Sequence, residues 1–184
     1  KMKLSVNCAQ LKSAMLCKAN NDVRFYLCGV LFALNGDLVG TNGHVAFIGQ
    51  HDSKIENDVI ISFQCQIPSK FSIAEIDITD GNEEGIVKFY DTIVTTKLIA
   101  SGLVSIINGK YPDYTKVCKK DKKQTDEIGF NGQYLSILGK VSKLFNPIFS
   151  CVSISLNGES GSAFAEIKNP YDEKAMLVIM PMRL

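Results

Sequence analysis

One order of local signals recurs three times along the chain: a short strand, an amphipathic helix opened by a capping residue, then three strands separated by tight turns. In the first round residues 3–6 alternate as a strand and Asn7 offers a cap. Residues 8–19 then carry Leu11, Met15 and Leu16 on one helical face. Strands are expected at 24–34, 37–41 and 45–50, separated by Asn35-Gly36 and Asn42-Gly43, dipeptides suited to the positive φ of hairpin turns. The second round reads as a strand at 59–63, a helix from Ile67-Pro68-Ser69 to about residue 76, and strands at 85–90, 92–98 and 103–107, with turns at Asp80-Gly81 and Asn108-Gly109. The third opens with a strand at 127–130, a cap at Asn131 and a helix over 132–144 bearing Leu135, Leu138 and Val141. Pro147 follows that helix, and strands are expected at 149–156, 162–167 and 176–180, with a turn at Asn157-Gly158. A chain written as one βαβββ unit repeated three times, each of about 50–60 residues, is confined to an α+β fold of pseudo-equivalent modules.

The 184 residues, 46% of them hydrophobic, are enough to bury a core without covalent staples. Six cysteines (Cys8, Cys17, Cys28, Cys65, Cys118, Cys151) sit in apolar-looking segments with no CxxC pair and no zinc spacing, and read as buried free thiols of a reducing cytosol. No apolar run reaches the ~18 residues a membrane span needs, and no leader pattern is present, so the expectation is a soluble, cytoplasmic protein. His44 and His51 lack an accompanying Asp, Glu or Cys constellation, and the glycines form no phosphate loop. Neither catalysis nor a metal or cofactor site is expected; a thiol enzyme would need one exposed cysteine of depressed pKa.

Charge is nearly balanced at +1 overall but uneven along the helices. Lys12 and Lys18 on the first, Lys70 on the second and Lys140 and Lys143 on the third face a single acid, Glu75. Three such helices on one surface would suit a phosphate backbone contacted without sequence readout; lysines that solvate outward helical faces read the same way. The one charge run, 116–123, reads as part of a linker between the second and third units. The last residues, Val178-Ile179-Met180-Pro181-Met182-Arg183-Leu184, are too apolar for a frayed end. They are either a last core strand or one wall of a peptide pocket, where adaptable methionines are useful.

Four stretches carry a more specific resemblance: Asp22-Val23-Arg24-Phe25-Tyr26-Leu27 with Gly29 and Leu31-Phe32, then Thr41-Asn42-Gly43-His44, Tyr111-Pro112-Asp113-Tyr114, and Met180-Pro181-Met182-Arg183-Leu184. In order and spacing they resemble the bacterial DNA sliding clamps, the beta subunits of the replicative polymerase. Residues 2–118 look like a complete middle clamp domain of two units, 119–125 like a basic linker, and 126–184 like the second half of the last domain. The family's first domain and the first half of its third have no counterpart here.

The resemblance implies a DNA clamp fold with helices lining a ring and sheets outside. It also implies a processivity factor that encircles double-stranded DNA without sequence preference and tethers DNA polymerase and other replication or repair proteins through a short peptide motif. The family's partner-peptide pocket maps onto Leu27, Thr41, Gly43, His44, Val45, Ala46, Pro112, Lys116, Val117, Asn131, Tyr134, Ser162, Val178, Ile179, Met180, Pro181, Met182, Arg183 and Leu184, mostly apolar or small side chains that would accept leucine and phenylalanine. Val45-Ala46 stand where the family usually has Arg-Leu, and an aromatic from the missing half-domain is lost, which implies a shallower pocket. DNA contacts implied by the resemblance are Arg24, Phe25 and Tyr26; Lys12, Lys18, Lys70, Lys140 and Lys143 are candidates by helical position.

The family ring holds twelve units, so three per chain imply a homotetramer. Because successive units alternate in direction, like units would meet like, in dihedral symmetry. A reduced plasmid or phage replication system and a clamp loader fit this reading. The alternative is a module or decoy that binds clamp-binding peptides without forming a ring.

Overall fold

A computed structural model describes residues 1–118 and 123–183. Among the described residues, two α-helices and eleven strands are arranged as β1 (Met2–Asn7), α1 (Cys8–Cys17), β2 (Val30–Phe32), β3 (Asp37–Thr41), β4 (Val45–Gln50), β5 (Val59–Phe63), β6 (Ile73–Ile78), β7 (Glu84–Asp91), β8 (Lys97–Ile106), α2 (Gly132–Phe145), β9 (Cys151–Ser155), β10 (Ala163–Lys168) and β11 (Met176–Ile179). The strands form one continuous sheet in the order β1-β6-β7-β8-β5-β2-β3-β4-β11-β10-β9, and neighbouring strands run antiparallel throughout. The fold is α+β.

Within residues 2–118 the two units are interleaved. The first strand of each pairs with the second strand of the other, β1 with β6 and β5 with β2. The third unit joins through its last strand, β11, which lies against β4 with Val45 opposite Ile179 and Ile48 opposite Met176.

Both helices open on an asparagine. The Asn7 side chain accepts from the Gln10 amide and that of Asn131 from the Gln133 amide, each satisfying a donor that a helix start leaves orphaned. The centre of the sheet is covered on both sides. Val30, Phe32, Leu38, Val45, Phe47, Leu177 and Ile179 face a core with Leu11, Ala14 and Cys17 of α1 and Leu138, Val141 and Phe145 of α2. Leu31, Val39, Ala46, Ile48 and Val178 meet Tyr111, Tyr114 and Cys118 of the segment that follows β8. Burial on both faces is why β3 and β4 lack the polar alternation of a surface strand.

Several expectations need correction. The helix expected to about residue 76 does not form. Ala74, Ile76 and Ile78 are buried while Ile73, Glu75 and Asp77 turn outward, a period of two that makes this segment β6, and Lys70 consequently lies on a loop. The second unit is thus a strand followed by three strands. The strand expected at 24–34 is a short 3-10 turn, Phe25–Cys28, followed by β2, because the Asp22 carboxylate caps the Arg24 amide at 2.8 Å and starts a turn there. Segments 92–98 and 103–107 merge into β8, leaving Ile93 and Val94 exposed before it. Residues 127–130 form only one isolated bridge, Gly129 to Met182. Cys17 is buried, and burial pushes its thiol up to about 12, but Cys151 is exposed and the other four cysteines are half-buried. Most of the 119–125 linker lies outside the described residues.

Gly40 marks where α1 touches the sheet: a Cβ there would stand 2.1 Å from the Ala14 carbonyl oxygen. His51 is buried. Its Nε2 donates to the Ala33 carbonyl at 2.9 Å, and its Nδ1 accepts from the Ser53 amide at 3.2 Å, so the ring is held neutral.

Gly40→Ala is therefore expected to destabilise the fold by about 1–3 kcal/mol or more, since helix and sheet backbones must separate. Gly139→Ala, whose Cβ would enter open space on α2, is expected to stabilise by about 1 kcal/mol. Urea unfolding midpoints separate the two. Burial lowers the His51 pKa below its ordinary 6.5, so below that value the unfolded chain takes up a proton that the folded one refuses. His51 thus contributes stability that is present above 6.5 and lost as pH falls through its folded pKa. An NMR titration should place its ring below 6.5, and the urea midpoint should drop over the same range.

Candidate peptide-binding pocket

The turn between β3 and β4 is fixed by its own side chains. Asn42 Oδ1 accepts from the amides of His44 and Val45 at 2.9 and 3.0 Å, and the Thr41 hydroxyl donates to the Val45 carbonyl at 2.8 Å. Gly43 has φ +90°, and a side chain there would meet the Arg24 guanidinium at 2.9 Å. Arg24 is itself anchored. Its Nε and a terminal nitrogen donate to the two oxygens of Asp22 at 3.0 and 2.7 Å, and these bonds hold the Asp22 carboxyl down at about 2.

On the opposite side, residues 111–118 cross back over the sheet. Tyr111 donates to the Val39 carbonyl at 3.3 Å, and burial raises its pKa. Tyr114 donates to Asp37 at 2.9 Å and accepts from the Asn35 amide at 3.1 Å. Burial, and the Asp37 carboxylate after it, push the Tyr114 phenol up as well. Asp37 also pairs with Lys174, so the two aromatics pin the crossing segment to β3 and to the chain before β11.

Between the turn and the crossing segment lies a cavity of about 200 Å³. Its lining includes Leu27, Thr41, Gly43, His44, Val45, Ala46, Pro112, Val117, Val178 and Met180, gathered from the Phe25–Cys28 turn, the β3–β4 hairpin, the crossing segment and the end of β11. The chain's last residues close one side: Met180 donates its amide to the His44 carbonyl at 2.9 Å, and Met182 does so to Gly129 at 2.8 Å. Tyr134 of α2 stacks on His44 with ring centroids 5.9 Å apart. Ile179 is buried in the last core strand, and Met180, just after it, lines the cavity. The exposed lining is chiefly apolar, suited to an extended peptide carrying bulky apolar side chains.

Not every expected residue lines the cavity. Lys116 turns to Asp113 at 3.4 Å, Asn131 caps α2, Ile179 is buried beneath in the main core, and Ser162 is buried outside the lining. Pro181, Met182 and Arg183 lie beyond it, and Leu184 is outside the described residues. Conversely, Arg24, Tyr26, Asp113 and Tyr114 line it. Arg24 and Tyr26, which the resemblance implied as DNA contacts, thus border the cavity, with Arg24 packed against the Thr41-Asn42-Gly43 turn. Phe25 is exposed beside them.

The lysines are placed unevenly. Lys12 donates to the Ser69 carbonyl and lies 5.8 Å from the centroid of the Phe71 ring. Lys18 is tied to the Ala19 carbonyl at 3.1 Å and to Asn20 at 3.0 Å. Lys140 and Lys143 on α2 are exposed, and Lys12 and Lys140 flank one shallow hollow with Met15, Leu16, Ile67 and Leu144 between α1 and α2. Among the described residues no group of three or more His, Cys, Asp or Glu side chains could hold a metal ion.

No protein-family model matches the sequence. Two curated proteins named beta sliding clamp do: that of Vibrio cholerae is 22% identical over an alignment of 231 residues covering 90% of this chain and 60% of its own length. That of Pseudomonas aeruginosa is 26% identical over 162 residues, covering 85% and 43%. The chain therefore spans about half the length of the relatives it matches. In three dimensions it superposes along 100% of its length on 65% of DNA polymerase III subunit beta from Borrelia burgdorferi, with TM-score 0.65 and 17% identity. For the Pseudomonas aeruginosa subunit the figures are 67% of that chain, TM-score 0.62 and 18% identity. The chain has the fold of the bacterial beta sliding clamps and resembles them in sequence.

Proposed function

We propose that this protein is a sliding clamp that encircles duplex DNA and holds DNA polymerase and other replication proteins through the pocket between the β3–β4 turn and the tail. The observation that carries this reading is the pocket itself. Ten of the nineteen residues that the family resemblance assigned to peptide binding converge on one cavity from four separate parts of the chain. The function is that of a tether, without chemistry. Its place of work is the cytoplasm, on nucleoid, plasmid or phage DNA; no described helix is long and apolar enough to cross a membrane.

Residues 2–118 act as a complete clamp domain and 126–183 as half of one. Four chains then supply the twelve units of a ring, opened for DNA by a loader. The phosphate-facing charge is assigned to Lys140 and Lys143, which are exposed on α2, with Lys12 on α1 and Lys18 just after its end. Arg24, paired with Asp22 beside the pocket, belongs to peptide recognition rather than to DNA.

Three outcomes are expected. A labelled peptide with glutamine followed by leucine and phenylalanine should bind by fluorescence anisotropy, and Val117→Arg, on the exposed wall of the cavity, should weaken it by about tenfold or more. Unchanged binding by that variant would remove the pocket assignment. The assembled protein should persist on nicked circular DNA through a gel-filtration column and be lost when the DNA is linearised. Lys140→Ala with Lys143→Ala should lower the salt dependence of association by about one unit per lysine. Peptide binding without retention on the circle would leave a peptide-binding module in place of the clamp.

A further inference from the structure

The third unit carries two sheet edges that the other two units have already paired. In the first unit, Ser5 of β1 turns one edge to the end of its own unit, exchanging hydrogen bonds of 2.7 and 3.2 Å with Ser53, while the other edge of β1 pairs with β6. In the second, β5 meets its own β8 at Ile61–Ile106 and pairs with β2 on its other side. Residues 127–130 repeat the first half of this arrangement. Counted back from the helix caps Asn7 and Asn131, Gly129 corresponds to Ser5, and Gly129 meets Met182 at the end of its own unit. The second half is missing. Among the described residues, Ile128 and Phe130 make no backbone hydrogen bond, and β9 has β10 as its only strand partner.

The side chains agree. Leu4 and Val6, at the positions of Ile128 and Phe130, are 2% and 3% exposed, whereas Ile128 and Phe130 are only half-buried. On β9, Ile154 lies opposite Ala165 on the core-facing side of the sheet yet is 49% exposed. Nearby Leu135, Ile148 and Phe149 are also open to solvent. The chain passes from the second unit directly into the third, so no complementary half lies between them. An open edge beside an apolar face is a template for another strand.

We propose that the third unit is completed by the third unit of a second copy of this chain. About a two-fold axis, residues 127–130 of each copy pair antiparallel with β9 of the other, as β1 pairs with β6 and β5 with β2 inside residues 2–118. The interface is isologous, so each copy donates the edge it also accepts, and Ile128, Phe130, Leu135 and Ile154 become its apolar centre. This deepens the ring proposed above and rests on it only for the count of four chains.

The test is light scattering of the purified full chain and its Ile154→Lys variant, with amide hydrogen exchange read on Val152–Ile154 and Ile128–Phe130. Ile154 is half exposed, so the variant should keep its far-UV spectrum and melting cooperativity. The expected result is a four-chain mass halved by the variant, with slow exchange on both segments that becomes fast on dissociation. A two-chain mass reduced to one by the variant, with the same exchange pattern, supports the interface while removing the four-chain ring. A four-chain mass that survives the variant, with β9 exchanging fast throughout, overturns the interface and leaves the ring. A monomer overturns the proposal, and slow β9 exchange in that monomer would show the chain's own segment covering the edge.

Discussion

Antiparallel pairing of β4 with β11 is the contact on which the arrangement depends. Residues 45–48 and 176–179, distant in sequence, meet there main chain to main chain, with Ala46 opposite Val178 in the middle. This ladder joins the third unit to the first and extends the sheet to eleven strands. It also sets the register that carries Met180 to the His44 carbonyl and Met182 to Gly129. A slip of one residue would turn Val178 and the buried Leu177 to opposite faces, emptying both cores at once. The pocket is thus a product of register, because its floor is the place where β4 and β11 run side by side.

That floor exists because coverage of the sheet is incomplete. On one side α1 lies close enough over β3 that Gly40 must be glycine, and its leucine and alanine fill the space above Phe32, Val45 and Phe47. On the other side the segment after β8 covers Leu31, Val39 and Ile48 through Tyr111 and Tyr114. Their hydroxyls need polar partners once buried, and Val39 and Asp37 supply them. Where that cover ends, at Pro112 and Val117, Ala46 and Val178 are left at the bottom of a cleft.

The repeat was legible because its punctuation is local. Asn7 and Asn131 cap helices as read, and Gly36, Gly43, Gly81 and Gly158 take the positive φ that their turns require. The second unit misled for an equally local reason. Pro68 and Ser69 look like a helix start, but Ile73 to Ile78 alternates by two, and pairing with β1 on one side and β7 on the other decides between the periods. What sequence could not supply was the direction in which polar side chains spend their hydrogen bonds. Arg24 reads as a free cation, yet Asp22 two residues earlier takes both of its forks, and Lys12 is spent on Ser69. The pocket was legible only through resemblance, since its residues come from segments with no common periodicity.

These pairings bear on how the proposed clamp, nearly neutral overall, would hold a polyanion. Electrostatic attraction to phosphate depends on cations that no carboxylate has already satisfied, rather than on net charge. Arg24 and Lys116 are paired with Asp22 and Asp113 on the pocket side, whereas Lys140 and Lys143 on α2 stand exposed, with no ion pair among the described residues. Two cations beside the pocket are therefore neutralised by neighbouring carboxylates, while two on α2 stay available to a polyanion. Under the proposed ring this division lets one sheet carry peptide recognition on one side while its helices slide along DNA on the other. Contacts limited to exposed lysines favour sliding, because each ammonium exchanges one phosphate for the next without breaking a buried, directional bond.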